Sequence, residues 1–169
     1  MGSGTLSDDE LHMQLTPGQL RKAVRLSKET LRHWRQILPA IQSQRGRSPA
    51  FSPGDAVALS VLRALTDNWG VKIGRLQKVS KEIFRLCNAT PWVALEVETL
   101  IIDMANSSCK LVRTTAGIAV DDPVLLCPLK SFMQPLREEF LRIEPSALQG
   151  QLCLRPVAIK RQRANGRRS

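Results

Sequence analysis

Two helix-start signatures lie so close together near the beginning of the chain that the local geometry has little freedom. The run Leu15-Thr-Pro-Gly-Gln-Leu-Arg-Lys-Ala-Val-Arg-Leu-Ser-Lys-Glu-Thr-Leu-Arg-His-Trp34 contains both. Thr16 is placed to cap a helix, Pro17 takes its first position, and Gln19 completes a capping box with Thr16. Leu20, Ala23 and Val24 form the inner face. Ser27 caps a second helix, in which Leu31, Trp34 and Leu38 share one side at helical spacing. Between the two, Val24-Arg-Leu-Ser27 leaves room only for a tight turn, so the helices must cross steeply.

After Pro39 the chain turns polar and basic through Gln42-Ser-Gln-Arg-Gly-Arg-Ser-Pro49, a stretch expected to protrude as a loop or two-stranded wing. Ser52, Pro53 and Asp55 repeat the helix-start signal. The third helix buries Ala58, Val61, Leu62 and Leu65, and Gly70 is suited to close it. A fourth helix turns Leu76, Val79, Ile83 and Leu86 inward and leaves Lys72, Arg75, Lys78, Lys81 and Arg85 for solvent or a partner. It ends near Asn88-Ala-Thr-Pro91.

The second half has a different pattern. Val97-Glu-Thr-Leu-Ile-Ile-Asp103 favours a strand, Asn106-Ser-Ser108 a turn, Cys109–Thr115 a returning strand, and Val124–Cys127 a further short strand. Leu129, Phe132, Met133, Leu136 and Phe140 are spaced for a helix, which Pro135 is expected to open. The fold class is therefore α+β. Residues 1–13 read as a flexible acidic N-terminus and residues 14–88 as four helices plus a basic wing. Residues 89–150 read as a small mixed sheet-plus-helix domain, and residues 151–169 as a disordered basic tail.

Net charge divides along the same lines. Of the +10 total, residues 14–88 carry 14 basic and 4 acidic side chains, whereas residues 89–150 carry 5 and 8. The first 13 residues hold three acids and no Lys or Arg. A basic field concentrated in one region attracts polyanions. On the second helix, burial of Leu31, Trp34 and Leu38 leaves Lys28, Glu29, Thr30, Arg32, His33, Arg35 and Gln36 on or near the open side. Lys28 and Glu29 would approach base edges, and Arg32 would reach a phosphate or a guanine. Thr30 and the first-turn N–H groups suit a phosphate oxygen. Arg45 and Arg47 suit the sugar-phosphate backbone or the minor groove.

Leu20–Leu59 resembles the winged helix-turn-helix of MerR-type regulators. Thr30-Leu-Arg-His-Trp34 is similar to that family's Thr-Leu-Arg-aromatic-aromatic signature, with His33 where Tyr is usual and Trp34 as the second aromatic. Arg47, Phe51 and Asp55 resemble the wing arginine, the aromatic residue closing the wing and the acid opening the next helix. The resemblance implies a recognition helix from Ser27 to about Ile37, phosphate contacts by Arg32, and a DNA-contacting wing holding Arg45 and Arg47. The long dimerising coiled-coil helix and the metal loops of sensing members have no counterpart, so effector sensing is not implied. Phage DNA-packaging subunits and excisionase-like proteins share the module.

These readings predict a sequence-specific double-stranded DNA-binding transcriptional regulator in the cytoplasm, at the bacterial nucleoid. The alternative is an architectural, excisionase-like or packaging protein that nucleates an assembly on DNA. A homodimer is expected, pairing through Leu100–Ile102 and Leu125–Cys127, with residues 89–150 also open to a protein partner. No catalytic motif, cofactor or metal site is expected. Cys87, Cys109, Cys127 and Cys153 lack C-x-x-C spacing and read as buried free thiols. Trp34 and Trp69 are expected in the core. No apolar run approaches the roughly 20 residues of a membrane span.

Overall fold

A computed structural model describes residues 13–42, 50–113 and 123–151, with the side chains of 144–151 left out. Its architecture is α+β, with seven helices and one three-stranded antiparallel sheet among the described residues. The helix starts follow the sequence closely. In α1 (Pro17–Val24) the Thr16 hydroxyl accepts from the Gln19 N–H at 3.3 Å, and the Gln19 side chain accepts from the Thr16 N–H at 2.9 Å. In α2 (Lys28–Ile37) the Ser27 hydroxyl accepts from the Thr30 N–H at 2.9 Å. Ser52 and Asp55 make the reciprocal pair that opens α4 (Pro53–Asp67). Each box satisfies two N–H groups that a helix start otherwise leaves unpaired.

The turn between α1 and α2 closes on Arg25, which adopts the left-handed conformation (φ 58°, ψ 46°). The Leu26 N–H reaches the Arg21 carbonyl at 2.9 Å and the Arg25 N–H reaches Lys22 at 3.3 Å, a Schellman arrangement. Glycine normally takes this position, because a Cβ there costs about 1–2 kcal/mol. Leu26 is buried behind the turn.

A short α3 (Pro39–Gln42), absent from the four-helix expectation, follows α2 directly. Ile41 in it is fully buried, and Gln42 Nε2 donates to the Gln36 carbonyl at 2.7 Å, tying the helix to the end of α2. Residues 43–49, with the expected wing and Arg45 and Arg47, lie outside the described residues. An isolated antiparallel bridge between Leu15 and Phe51, with N–H···O distances of 2.7 and 2.9 Å, draws the chain together beyond that segment. Beyond α4, which Asn68 caps, the chain turns at Gly70 (φ 65°), where the Val71 N–H returns to the Leu65 carbonyl at 2.9 Å. α5 then runs over Ile73–Ala89 and a short α6 over Trp92–Leu95.

The sheet has the order β2-β1-β3, with β1 (Thr99–Asp103) central, β2 (Ser108–Val112) on one edge and β3 (Leu125–Pro128) on the other. Ile101 sits opposite Lys110 on β2 and Leu126 on β3. Leu100 and Ile102 enter the main core while Ile101 faces the other side, as strand alternation requires. Asp103 accepts from the Asn106 backbone and side chain at 2.9 and 2.7 Å, which closes the β1–β2 turn and holds its carboxyl below its ordinary range.

Three expectations are corrected. Pro135 lies inside α7 (Lys130–Gln151) and does not open it. Buried Leu129 accepts from the Phe132 and Met133 N–H groups, and burial of Met133 and Leu136 on either side of the proline holds the first turn in place. Leu100–Ile102 is not free for pairing with a second copy, because β1 has a partner on both edges and Leu125–Cys127 is one of them. Trp69 is 53% exposed at the end of α4, whereas Trp34 is buried as expected. Trp92 is half-buried against Phe140, with ring centroids 5.5 Å apart. The basic tail beyond Gln151 lies outside the described residues.

One hydrophobic cluster spans both halves, from Leu15 to Phe140. α7 packs on α1 and α4, and β2 packs on α5. Lys22 of α1 also pairs with Glu139 of α7 at 2.8 Å. The boundary in charge is thus crossed by continuous packing.

Candidate nucleic-acid interface

The burial of Leu31 and Trp34 fixes how α2 is presented. Lys28, Glu29, Arg32, His33 and Gln36 are exposed, while Thr30 and Arg35 are half-buried at the margins. The principal packing partners of α2 are α3 and α5; α7 lies instead against α1 and α4.

Hydrogen bonds and shared grooves fix the direction of α5 relative to α2. At one end, Arg63 in α4 donates to the Val24 carbonyl at 2.8 Å, and Asp67 and Asn68 share a groove with Arg25. The end of α4, and so the start of α5, is therefore beside the turn from which α2 begins. At the other end, Asn88 of α5 donates to Asp55 at the start of α4 at 2.9 Å, so α4 and α5 are antiparallel. Ala40 of α3, just beyond α2, shares a groove with Lys81, Phe84 and Arg85. α2 and α5 consequently run side by side, starting from the same end.

In that arrangement two adjacent helices each keep an exposed basic face. α2 and its margin contribute Lys28, Arg32 and Arg35. The outer side of α5 and its entry contribute Lys72, Arg75, Lys78, Lys81 and Arg85, all exposed. These eight cations are accompanied by Glu29 and Glu82. Glu82 accepts from Arg85 Nε at 2.8 Å, which lowers the carboxyl and raises the guanidinium from their ordinary values. The α5 side chains were legible as a basic, outward-facing set. Their proximity to α2 was not, because nothing local in a sequence reports which helices touch.

The N-terminal turn of α2 is more occupied than the sequence suggests. The Ser27 and Thr30 hydroxyls are 2.9 Å apart, and the Thr30 N–H is held by Ser27. The Glu29 carboxyl is lowered by its own backbone N–H, then by the Ser27 hydroxyl, with smaller help from Lys28 and Arg21. A phosphate oxygen entering this turn would have to displace Glu29. Lys28 and Arg32, farther out, need no such exchange.

No protein-family model, curated protein or solved structure matches the chain. The site is therefore judged on its own geometry. Cys87, Cys109 and Cys127 are free, Cys109 only half-buried where a buried thiol was expected, and desolvation pushes the three thiols up to about 12, 12 and 11. Thiols held that high are poor nucleophiles at neutral pH. Cys153 lies outside the described residues. Among the described residues no three His, Cys, Asp or Glu side chains are grouped to hold a metal ion, and no helix is long and apolar enough to cross a membrane.

Proposed function

We propose that the chain binds duplex DNA through α2 and α5, with α1 and α2 acting as a helix-turn-helix, residues 43–49 as its wing, and regulation of transcription as the outcome. The observation that carries the reading is the pair of adjacent helices, packed on their apolar faces and basic on their open ones. Coulombic attraction to phosphate supplies affinity without regard to sequence. Sequence discrimination then rests on the side chains at the open face of α2: Lys28, Glu29, Arg32, His33 and Gln36. Arg35 at the margin, together with Arg45 and Arg47, would add backbone contacts, and α5 would follow a neighbouring stretch of phosphates.

Selection from random duplex DNA, read by sequencing, tests this reading. A regulator acting as a dimer enriches two half-sites at a fixed helical spacing. An assembly-nucleating protein instead coats a fragment in many copies. No enrichment, together with no mobility shift at low salt, rejects DNA binding altogether.

A further inference from the structure

A groove of about 860 Å³ opens beside the basic face, between the start of α4, the C-terminal half of α5 and α6. Its walls are mixed. Pro53, Pro91 and half-buried Trp92 offer apolar surface over buried Leu95, while Lys81 and Arg85, the latter paired with Glu82, supply cations. Lys81 makes no ion pair among the described residues. Asp55 is committed at the floor, exchanging hydrogen bonds with Ser52 and accepting from Asn88. Met13 and Gln14 also line the groove, so the chain enters the described structure along it.

Immediately before Met13 stands Leu6-Ser-Asp-Asp-Glu-Leu11-His12, three consecutive acids between two leucines. At about 3.3–3.6 Å per residue, Glu10 is tethered within about 11 Å of Met13 and Asp8 within about 18 Å. We propose that this acidic segment is the occupant of the groove, its carboxylates against Lys81 and Arg85 and its leucines on the apolar walls. The tether makes the encounter intramolecular, with an effective concentration on the order of millimolar. The chain between Ala40 and Ala50, both of which line the groove, includes Arg45 and Arg47 and no acid, so its charge does not complement Lys81 and Arg85. A docked acidic segment occupies cations at one end of the basic face, and a nucleic acid reaching that end must displace it. This consequence rests on the DNA reading, but the docking itself does not.

The test is the full-length chain carrying Asp8→Asn, Asp9→Asn and Glu10→Gln together, compared with the unaltered protein by amide and indole NMR. The docking predicts shifts at Lys81, Arg85 and the Trp92 indole, and the same residues moving toward the variant's positions when salt is raised from 50 to about 500 mM. Shifts confined to the altered residues, or moved to Arg45 and Arg47 instead, overturn it. Binding of a 30-base-pair duplex at 50 mM salt is then expected to tighten about threefold to tenfold in the variant. Groove shifts with no duplex binding by either protein would leave the docking standing and remove the DNA reading. Groove shifts with equal, measurable binding would overturn the competition.

Discussion

The helical region up to Ala89 and the sheet-bearing region after it share one core but differ in how they treat their surfaces. The first places 14 basic side chains against 4 acidic ones over residues 14–88, and leaves α2 and α5 with open basic faces. The second uses its charges largely in pairs: Glu96 with Arg137, Glu98 with Arg113 at 3.2 Å, and Glu139 with Lys22 and Arg142. Paired charge steadies a packing arrangement and projects little field. An excess of one sign does the reverse, attracting a polyanion while opposing its own compaction. The comparison separates a region that pairs most of its charges from one that exposes an excess of positive ones, although one hydrophobic cluster runs through both.

The largest effect tests the shared core. Trp34→Ala removes a buried aromatic side chain and is expected to cost about 3–5 kcal/mol. Denaturant unfolding followed separately by helix signal and by the Trp92 environment should show one coincident transition. Two transitions would mean that the halves fold apart and would break the comparison. Gly54→Ala comes next. Its Cβ would stand 2.6 Å from Asn88 Oδ1 and 2.7 Å from the Cys87 carbonyl, where the start of α4 meets the end of α5. Backbone cannot yield as a side-chain tip does, so a loss of about 1–3 kcal/mol is expected from chemical denaturation.

The two inter-helix turns supply a smaller, opposite-signed pair. Arg25→Gly should stabilise by up to about 1 kcal/mol, since it relieves a left-handed Cβ. Gly70→Ala should destabilise by a similar amount, about 1 kcal/mol, measured as a shift in the unfolding midpoint. If Arg25→Gly also weakens DNA binding, the strain at Arg25 retains a cation next to α2.

The smallest effect concerns pH. Glu139 lies below its ordinary value of 4.5, chiefly because Lys22 bonds to its carboxylate. A lowered carboxyl contributes stability above that value and loses it as pH falls through the folded one. Glu139→Gln should therefore flatten the stability curve on the acid side of pH about 5 and leave its shape above that unchanged. A curve that stays as steep would assign the acid sensitivity elsewhere, with Asp103 the first place to look.

Much of this was legible because it is local. Thr16 with Gln19, Ser27 with Thr30, and Ser52 with Asp55 interact within one helical turn, so their spacing alone identifies them. Gly70 was legible for the same reason, since its left-handed φ needs no tertiary information. Pro135 was misread because local rules place proline at a helix start, while burial of Met133 and Leu136 holds a turn ahead of it. Trp69 was misread because a large apolar side chain usually seeks the core, yet its helix ends before the core can cover it. The strands were found, but the order β2-β1-β3 was not, since pairing partners are remote in sequence. The candidate face divides likewise: the exposure of α2 followed from Leu31 and Trp34, whereas its alignment with α5 depends on contacts through α4.

The most direct test is the salt dependence of binding to a 30-base-pair duplex, for the unaltered protein, for Arg32→Ala and for Lys78→Ala. The account predicts tight binding at low salt and a linear fall of log affinity with log salt, and each substitution should reduce the slope by about 0.9 if its side chain meets one phosphate. Binding that ignores salt, or a slope unchanged by both substitutions, would contradict the claim that α2 and α5 form one nucleic-acid-binding face.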